Sequence, residues 1–183
     1  MAPVEVVVAA DVLVAALSKI SAAAVRFPAV PPRTNDPNAD VVGVFVAAEG
    51  DFALILSEEI LEQVVTALID DRRGLGWAFD AADQAIDVLV GIAEHSHGGI
   101  APPADRVTAP LHADAVAKAA LRAAASSDLG FPRAVVTGDP ALQHLRQWRP
   151  AGIPWPADHP VTILSPSRFR DLVEQARWRY RRS

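Results

Sequence analysis

The feature that most constrains this chain is a set of short β-branched runs separated by segments of helical periodicity. Val4 to Val8, Phe52 to Leu56, Ala134 to Thr137 and Val161 to Leu164 are each four or five residues long and nearly all apolar. A strand wet on one face would alternate apolar and polar residues. Runs without that alternation suit strands buried on both faces of a parallel sheet. Between them apolar residues recur every three or four positions, as in Ile60, Leu61, Val64, Val65, Leu68 and Ile69, which gives a helix one apolar face. Strands alternating with helices predict an α/β fold, with a mainly parallel sheet and helices on both of its faces. "RVTAP", Arg106 to Pro110, is read as a further strand, which makes about five.

The helices have recognisable ends. Val12, Leu13, Ala16, Leu17 and Ile20 mark one directly after the first strand. Ser57 is placed to cap another, with Glu58 and Glu59 facing the positive end of its dipole. A third is expected from Trp77 to His95, stopped by "HSHGG". Asp114 opens an alanine-rich helix reaching about Ala125, and Pro140 to Trp148 is read as helical. Ser165 and Pro166 supply a cap and a first-turn proline for an Arg-rich C-terminal helix over 165–183. Arg26 to Val42 carries four prolines and is expected to be a long irregular loop, the most mobile part of the chain. With 183 residues, 51% of them hydrophobic, a single domain over 1–183 can bury a sizeable core.

Charge and cysteine content narrow the chemistry. A net charge of -5 is mild and demands neither a nucleic acid nor a membrane as partner. It is unevenly spread. Arg168, Arg170, Arg177, Arg179, Arg181 and Arg182 stand near the C-terminus against only Asp171 and Glu174. Trp178 and Tyr180 alternate with these arginines, an interleaving able to stack bases and neutralise phosphates, although a packed helix with a basic end explains it as well. The chain has no cysteine, which excludes disulfides and thiolate metal sites and agrees with a reducing compartment. Glu5 and Asp11 interrupt the first apolar stretch and no basic segment precedes it, so it is not read as a signal peptide. No uncharged run has the length of a membrane span. The expectation is a soluble, cytoplasmic protein.

Ligands of parallel sheets bind at the carboxyl ends of the strands, and acids stand near those points: Asp11, Glu62, Asp114 and Asp139. Carboxylates without cysteine or paired histidines are the donor set for Mg²⁺ or Mn²⁺, hard ions that take oxygen ligands. Asp80, Asp83, Asp87 and Glu94 also recur at helical spacing, but a solvated helix face explains them. His95 and His97 lack the further ligands a zinc site needs.

Five segments, "VVVAADVLVAAL", "LILSEEILEQVVTAL", "LHADAVAKAAL", "VVTGDPAL" and "VTILSPSRF", together resemble the PIN-domain family. Its members are metal-dependent nucleases that include the ribonuclease toxins of bacterial toxin-antitoxin pairs. The resemblance implies an α/β/α sandwich around a parallel sheet of about five strands. It implies Mg²⁺ or Mn²⁺ as cofactor, single-stranded RNA as substrate, and an antitoxin protein or a second copy of the chain as candidate partners. Asp114, in "LHADA", and Asp139, in "TGD", match the family's third and fourth acids. Aligning "VLVAAL" places Ala9 in the first acid's slot and Asp11 in that of the Asn that follows it. The family's Glu falls on Gln63, with Glu62 one residue early and rotated by roughly 100°.

Two acids of the family pattern are therefore absent from their usual positions. Asp114, Asp139 and Asp11 are the expected metal ligands, with Gln63 or Glu62 completing the site. If the first strand stays extended past Val8, Asp11 projects to the same side as Ala9. Arg177, Arg179, Arg181 and Arg182 are the expected RNA contacts. Two readings stand side by side: a metal-dependent ribonuclease impaired by the missing acids, and an inert PIN-fold module that binds RNA or a protein partner. A phosphatase-like enzyme is disfavoured, because no nucleophile motif accompanies the acids.

Overall fold

The computed structural model describes residues 3–19, 36–47, 51–103, 107–126 and 133–180. The four apolar runs form β1 (Val4–Val8), β2 (Phe52–Ser57), β4 (Arg133–Val136) and β6 (Val161–Leu164). Every residue of β2 and β4 is buried, as expected where both faces of the sheet are covered. Two short strands complete a six-stranded sheet: β3 (Gly99–Ala101) and β5 (Gln147–Trp148). The order is β3-β2-β1-β4-β6-β5, parallel throughout except for the antiparallel pair β5–β6.

The helices are α1 (Ala10–Leu17), α2 (Pro37–Ala47), α3 (Glu58–Ile69), α4 (Phe79–His95), α5 (Ala115–Ser126), α6 (Pro140–Gln143) and α7 (Pro166–Tyr180). Ser57 caps α3 by accepting a hydrogen bond from the Ile60 N–H at 3.3 Å. One apolar core runs from β1 to Val173 of α7. Phe169 of α7 anchors that end, stacked on Phe45 of α2 at 5.7 Å and edge-on to Phe52 of β2 at 5.4 Å. Leu172, on the same helix, is 45% exposed. Asp80, Asp83, Asp87 and Glu94 lie on the exposed side of α4. Among the described residues no helix is long and apolar enough to cross a membrane.

Three expectations are corrected. The strand beside β2 is Gly99–Ala101; of the segment read as a strand, Arg106 lies outside the described residues and, within 107–110, Thr108 makes only an isolated antiparallel bridge to Ala151. The chain turns early because His97 takes a left-handed conformation (φ 60°) after α4 and the Gly98 N–H reaches back to the Ala93 carbonyl at 2.9 Å. That closure delivers Gly99 directly to the sheet edge. The proline-rich stretch is not all loop: Asp36 accepts from the Asn38 N–H at 2.9 Å and Pro37 fills the first turn of α2, where its missing N–H costs nothing. The rest of that stretch, 26–35, lies outside the described residues. Pro140 to Trp148 is helical only as far as Gln143, because Arg146 adopts φ 55° and redirects the chain into β5.

The strand order fixes where a ligand would sit. From β1 the chain runs outward through β2 to β3, then crosses back to β4 on the other side of β1. Connections leaving β1 and β4 thus diverge at their carboxyl ends, and such a divergence opens a crevice.

Candidate functional site

Ala9 ends β1 beside β4, donating its N–H to the Val136 carbonyl at 2.9 Å. It is the N-cap of α1 and has no side-chain group to cap with. The helix begins at Ala10, so Asp11 belongs to its first turn and not to an extended strand. The condition under which Asp11 would project to the same side as Ala9, a strand extended past Val8, is therefore not met. Its carboxylate instead crosses the crevice and accepts the Gly138 N–H at 2.9 Å.

Gly138 has no room for a side chain there, since a Cβ would overlap the Asp11 Oδ2. Although Asp11 retains exposed surface, packing against this turn strips water from its carboxyl and pushes its pKa above the ordinary aspartate range. The N–H groups of Val12 and Gly138 pull it partly back, and the negative charge of Asp114 adds to the rise. Asp11 and Asp114 thus feel each other across the site, although they come from different ends of the chain.

Asp114 precedes α5 and accepts the Ala117 N–H at 2.7 Å, a capping bond. Gln63 reaches the same helix start from α3, donating its Nε2 to the Ala115 carbonyl at 3.3 Å. Its Oε1 is buried and has no hydrogen-bond partner. Asp139 caps α6, its Oδ1 accepting from Ala141 N–H at 2.8 Å. The Asp139 Oδ2 is likewise buried and unpartnered. Behind it Thr137, fully buried, accepts the Asp139 N–H at 3.1 Å and takes the Gln143 amide on its carbonyl at 2.8 Å.

Gln63 therefore reaches the start of α5, and Glu62 faces elsewhere. Glu62 is exposed and lines a separate cleft of about 440 Å³ with Ser57, Glu59, Pro102 and Arg122. In that cleft Arg122 and Glu59 form a two-point ion pair. Of the expected RNA contacts, Arg181 and Arg182 lie outside the described residues, and only the helical backbone is described at Arg177 and Arg179.

The donor set is all oxygen, which suits Mg²⁺ or Mn²⁺. Yet among the described residues no three His, Cys, Asp or Glu side chains are grouped to hold one metal ion. Each acid is tied to a backbone N–H of its own: Asp11 to Gly138, Asp114 to Ala117, Asp139 to Ala141. The residues present thus fall short of a full ligand set for a divalent ion. Sequence reasoning missed Gly138, whose signal was the turn "TGD" in which only a side-chain-free residue lets the Asp11 carboxylate approach. Compared with protein-family models, with curated proteins and with solved structures, the chain finds no match in any of the three.

Proposed function

We propose that this chain is a PIN-like α/β protein with an impaired hydrolytic site, acting by holding single-stranded RNA across the crevice between β1 and β4. The observation that carries the reading is the crevice itself. Asp11 and Asp139 follow its two strands, Asp114 and Gln63 stand at the start of α5, and no three acids are grouped for one ion. Ala9, in the slot of the family's first acid, offers only a methyl group, and Gln63 offers a neutral oxygen in place of a carboxylate. Both changes remove charge that would attract a divalent cation.

Residual hydrolysis is the second reading, favoured by the two buried oxygens without donors on Gln63 and Asp139. Buried acceptors without partners are costly, and a cation beside either oxygen would satisfy it. An antitoxin protein or a second copy of the chain as partner rests on the sequence resemblance.

The test is a labelled single-stranded RNA, followed for binding by fluorescence anisotropy and for cleavage on a gel, in EDTA and in Mn²⁺. The reading expects affinity to be retained in EDTA and cleavage in Mn²⁺ to stay near background. Rapid cleavage that requires Mn²⁺ and is lost in both Asp114→Asn and Asp139→Asn would overturn it.

A further inference from the structure

One helical turn past Asp139 the acid-lined crevice gives way to a cleft of opposite charge. It has a volume of about 340 Å³ and is lined by Pro140, Gln143, His144, Arg146, Ile163, Ser165 and Arg168. No carboxylate lines it. Three other arginines of the fold are neutralised: Arg122 by Glu59, Arg133 by Glu5, Arg170 by Asp40. Among the described residues no carboxylate pairs with Arg146 or Arg168, and both are exposed, as is His144.

Arg146 is also held in a left-handed backbone conformation, φ 55°, which a non-glycine residue adopts at a cost of order 1 kcal/mol. Its carbonyl accepts the Ile163 N–H at 2.8 Å, so the strained residue is pinned to the end of β6 beside the start of α7. Glycine would fit this backbone with less strain, yet the position carries a guanidinium at the mouth of the cleft. Strain of this kind, kept where the surroundings over-determine it, is characteristic of ligand clamps. The volume falls in the range of small-ligand sites, about 300–1,000 Å³.

We propose that this cleft is a phosphate-binding site, in which Arg146 and Arg168, with the His144 ring, hold a phosphate group supplied by a nucleic-acid strand or by a free nucleotide. Arginine suits the task because its planar fork of N–H donors matches phosphate oxygens two at a time. The site deepens the reading of an RNA-holding crevice by placing a phosphate beside α6, and it requires no metal ion.

The experiment compares the wild-type chain with the pair Arg146→Gly and Arg168→Ala, all in EDTA. Glycine at 146 keeps the backbone conformation, so the fold should persist, and a thermal melt checks that it does. The control is Arg72→Ala with Arg73→Ala, two exposed arginines in the turn after α3 that remove the same charge elsewhere. Each protein is titrated with a labelled single-stranded RNA at several salt concentrations, and with a nucleoside 5′-monophosphate and inorganic phosphate by calorimetry.

If the phosphate belongs to a strand, the cleft variant should lose roughly tenfold or more in RNA affinity. Its dependence of log K on log salt should become shallower by about 1.4, two contacts at about 0.7 each. If the source is a free nucleotide, RNA binding is unchanged and the monophosphate or phosphate titration is abolished. Wild-type RNA, monophosphate and phosphate titrations all retained by the cleft variant, or matched in their loss by the control pair, would overturn the proposal. Absence of RNA binding by the wild-type chain would sink the RNA reading alone, because the monophosphate and phosphate titrations still test the cleft.

Discussion

The two ends of the β1–β4 strand pair handle polar groups in opposite ways. At the amino end Glu5 and Arg133 stand opposite each other in register, their side chains both 5% exposed and joined at 2.8 Å. Arg133 also donates to the Ala124 carbonyl at 2.7 Å and lies 5.1 Å from the centre of the Trp155 ring. At the carboxyl end the acids of the crevice lean on backbone N–H groups alone, and Gln63 and Asp139 each bury an oxygen that nothing donates to. The same two strands thus carry a closed network where the sheet is only structural and an open one where parallel sheets bind ligands. A fold tolerates unsatisfied polar groups where something else is meant to satisfy them.

The amino-end network should be indispensable to the fold. Arg133→Met would leave Glu5 buried without its charged partner, a loss of about 3–5 kcal/mol, or a Tm lower by about 10 °C. Adding Glu5→Leu to that variant should return most of the lost stability, since a buried ion pair replaced as a whole is often neutral. Denaturant unfolding of the three proteins reads both effects. A single variant as stable as the wild type would mean that water reaches Glu5.

Gly138→Ala sharpens the other side. The new methyl group would force the Asp11 carboxylate away from the Gly138 N–H, at a cost of about 1 kcal/mol for the lost bond. No loss would show that the bond across the crevice contributes nothing. Gln63→Met should be milder still, within about 1 kcal/mol of the wild type, because the lost bond to the Ala115 carbonyl is offset by removal of an acceptor that has no donor. Destabilisation matching that of Arg133→Met would place a hidden partner on Gln63 and end the contrast between the two ends.

The smallest expected effect is on pH dependence. Loss of water around Asp11, reinforced by Asp114, raises its folded pKa above the unfolded value. The ionised carboxylate is then disfavoured in the folded state, so its relative stability is highest below the unfolded pKa and declines as pH rises through the folded one. Asp11→Asn should therefore gain slightly on the wild type as pH rises from the acid range to 7, followed by thermal melts. A gain in the opposite direction would mean that the Gly138 bond outweighs the loss of water.

How much of this was legible follows from the length of each signal. β1, β2, β4 and β6 were visible because an unbroken apolar run has few other uses. β3 was not, since Gly99, Ile100 and Ala101 are too few to show a pattern, and their place depends on how α4 closes at His97 and Gly98. α2 was hidden by counting prolines instead of noticing that Asp36 followed by Pro37 is a helix start. In the site, the resemblance left Gln63 or Glu62 to complete the acids; α3 carries Gln63 to the start of α5 and Glu62, one helical step away, to another cleft. Asp11 required three dimensions, because its partner Gly138 lies 127 positions away. The arginines at 146 and 168 likewise join only when β6 brings its end beside α6.

The measurement that bears most directly on the proposed impairment, a crevice whose acids are not grouped for a divalent ion, is Mn²⁺ calorimetry on the wild type and on the pair Ala9→Asp with Gln63→Glu. Asp is a favoured N-cap and Ala9 already occupies that position at α1, but Ala9 is fully buried, so a thermal melt first checks that the variant folds. The account predicts weak or undetectable binding by the wild type and an affinity at least about tenfold higher in the double variant, as two carboxylates are added around the ion. Tight Mn²⁺ binding by the wild-type chain, left unchanged by the two substitutions, would contradict it.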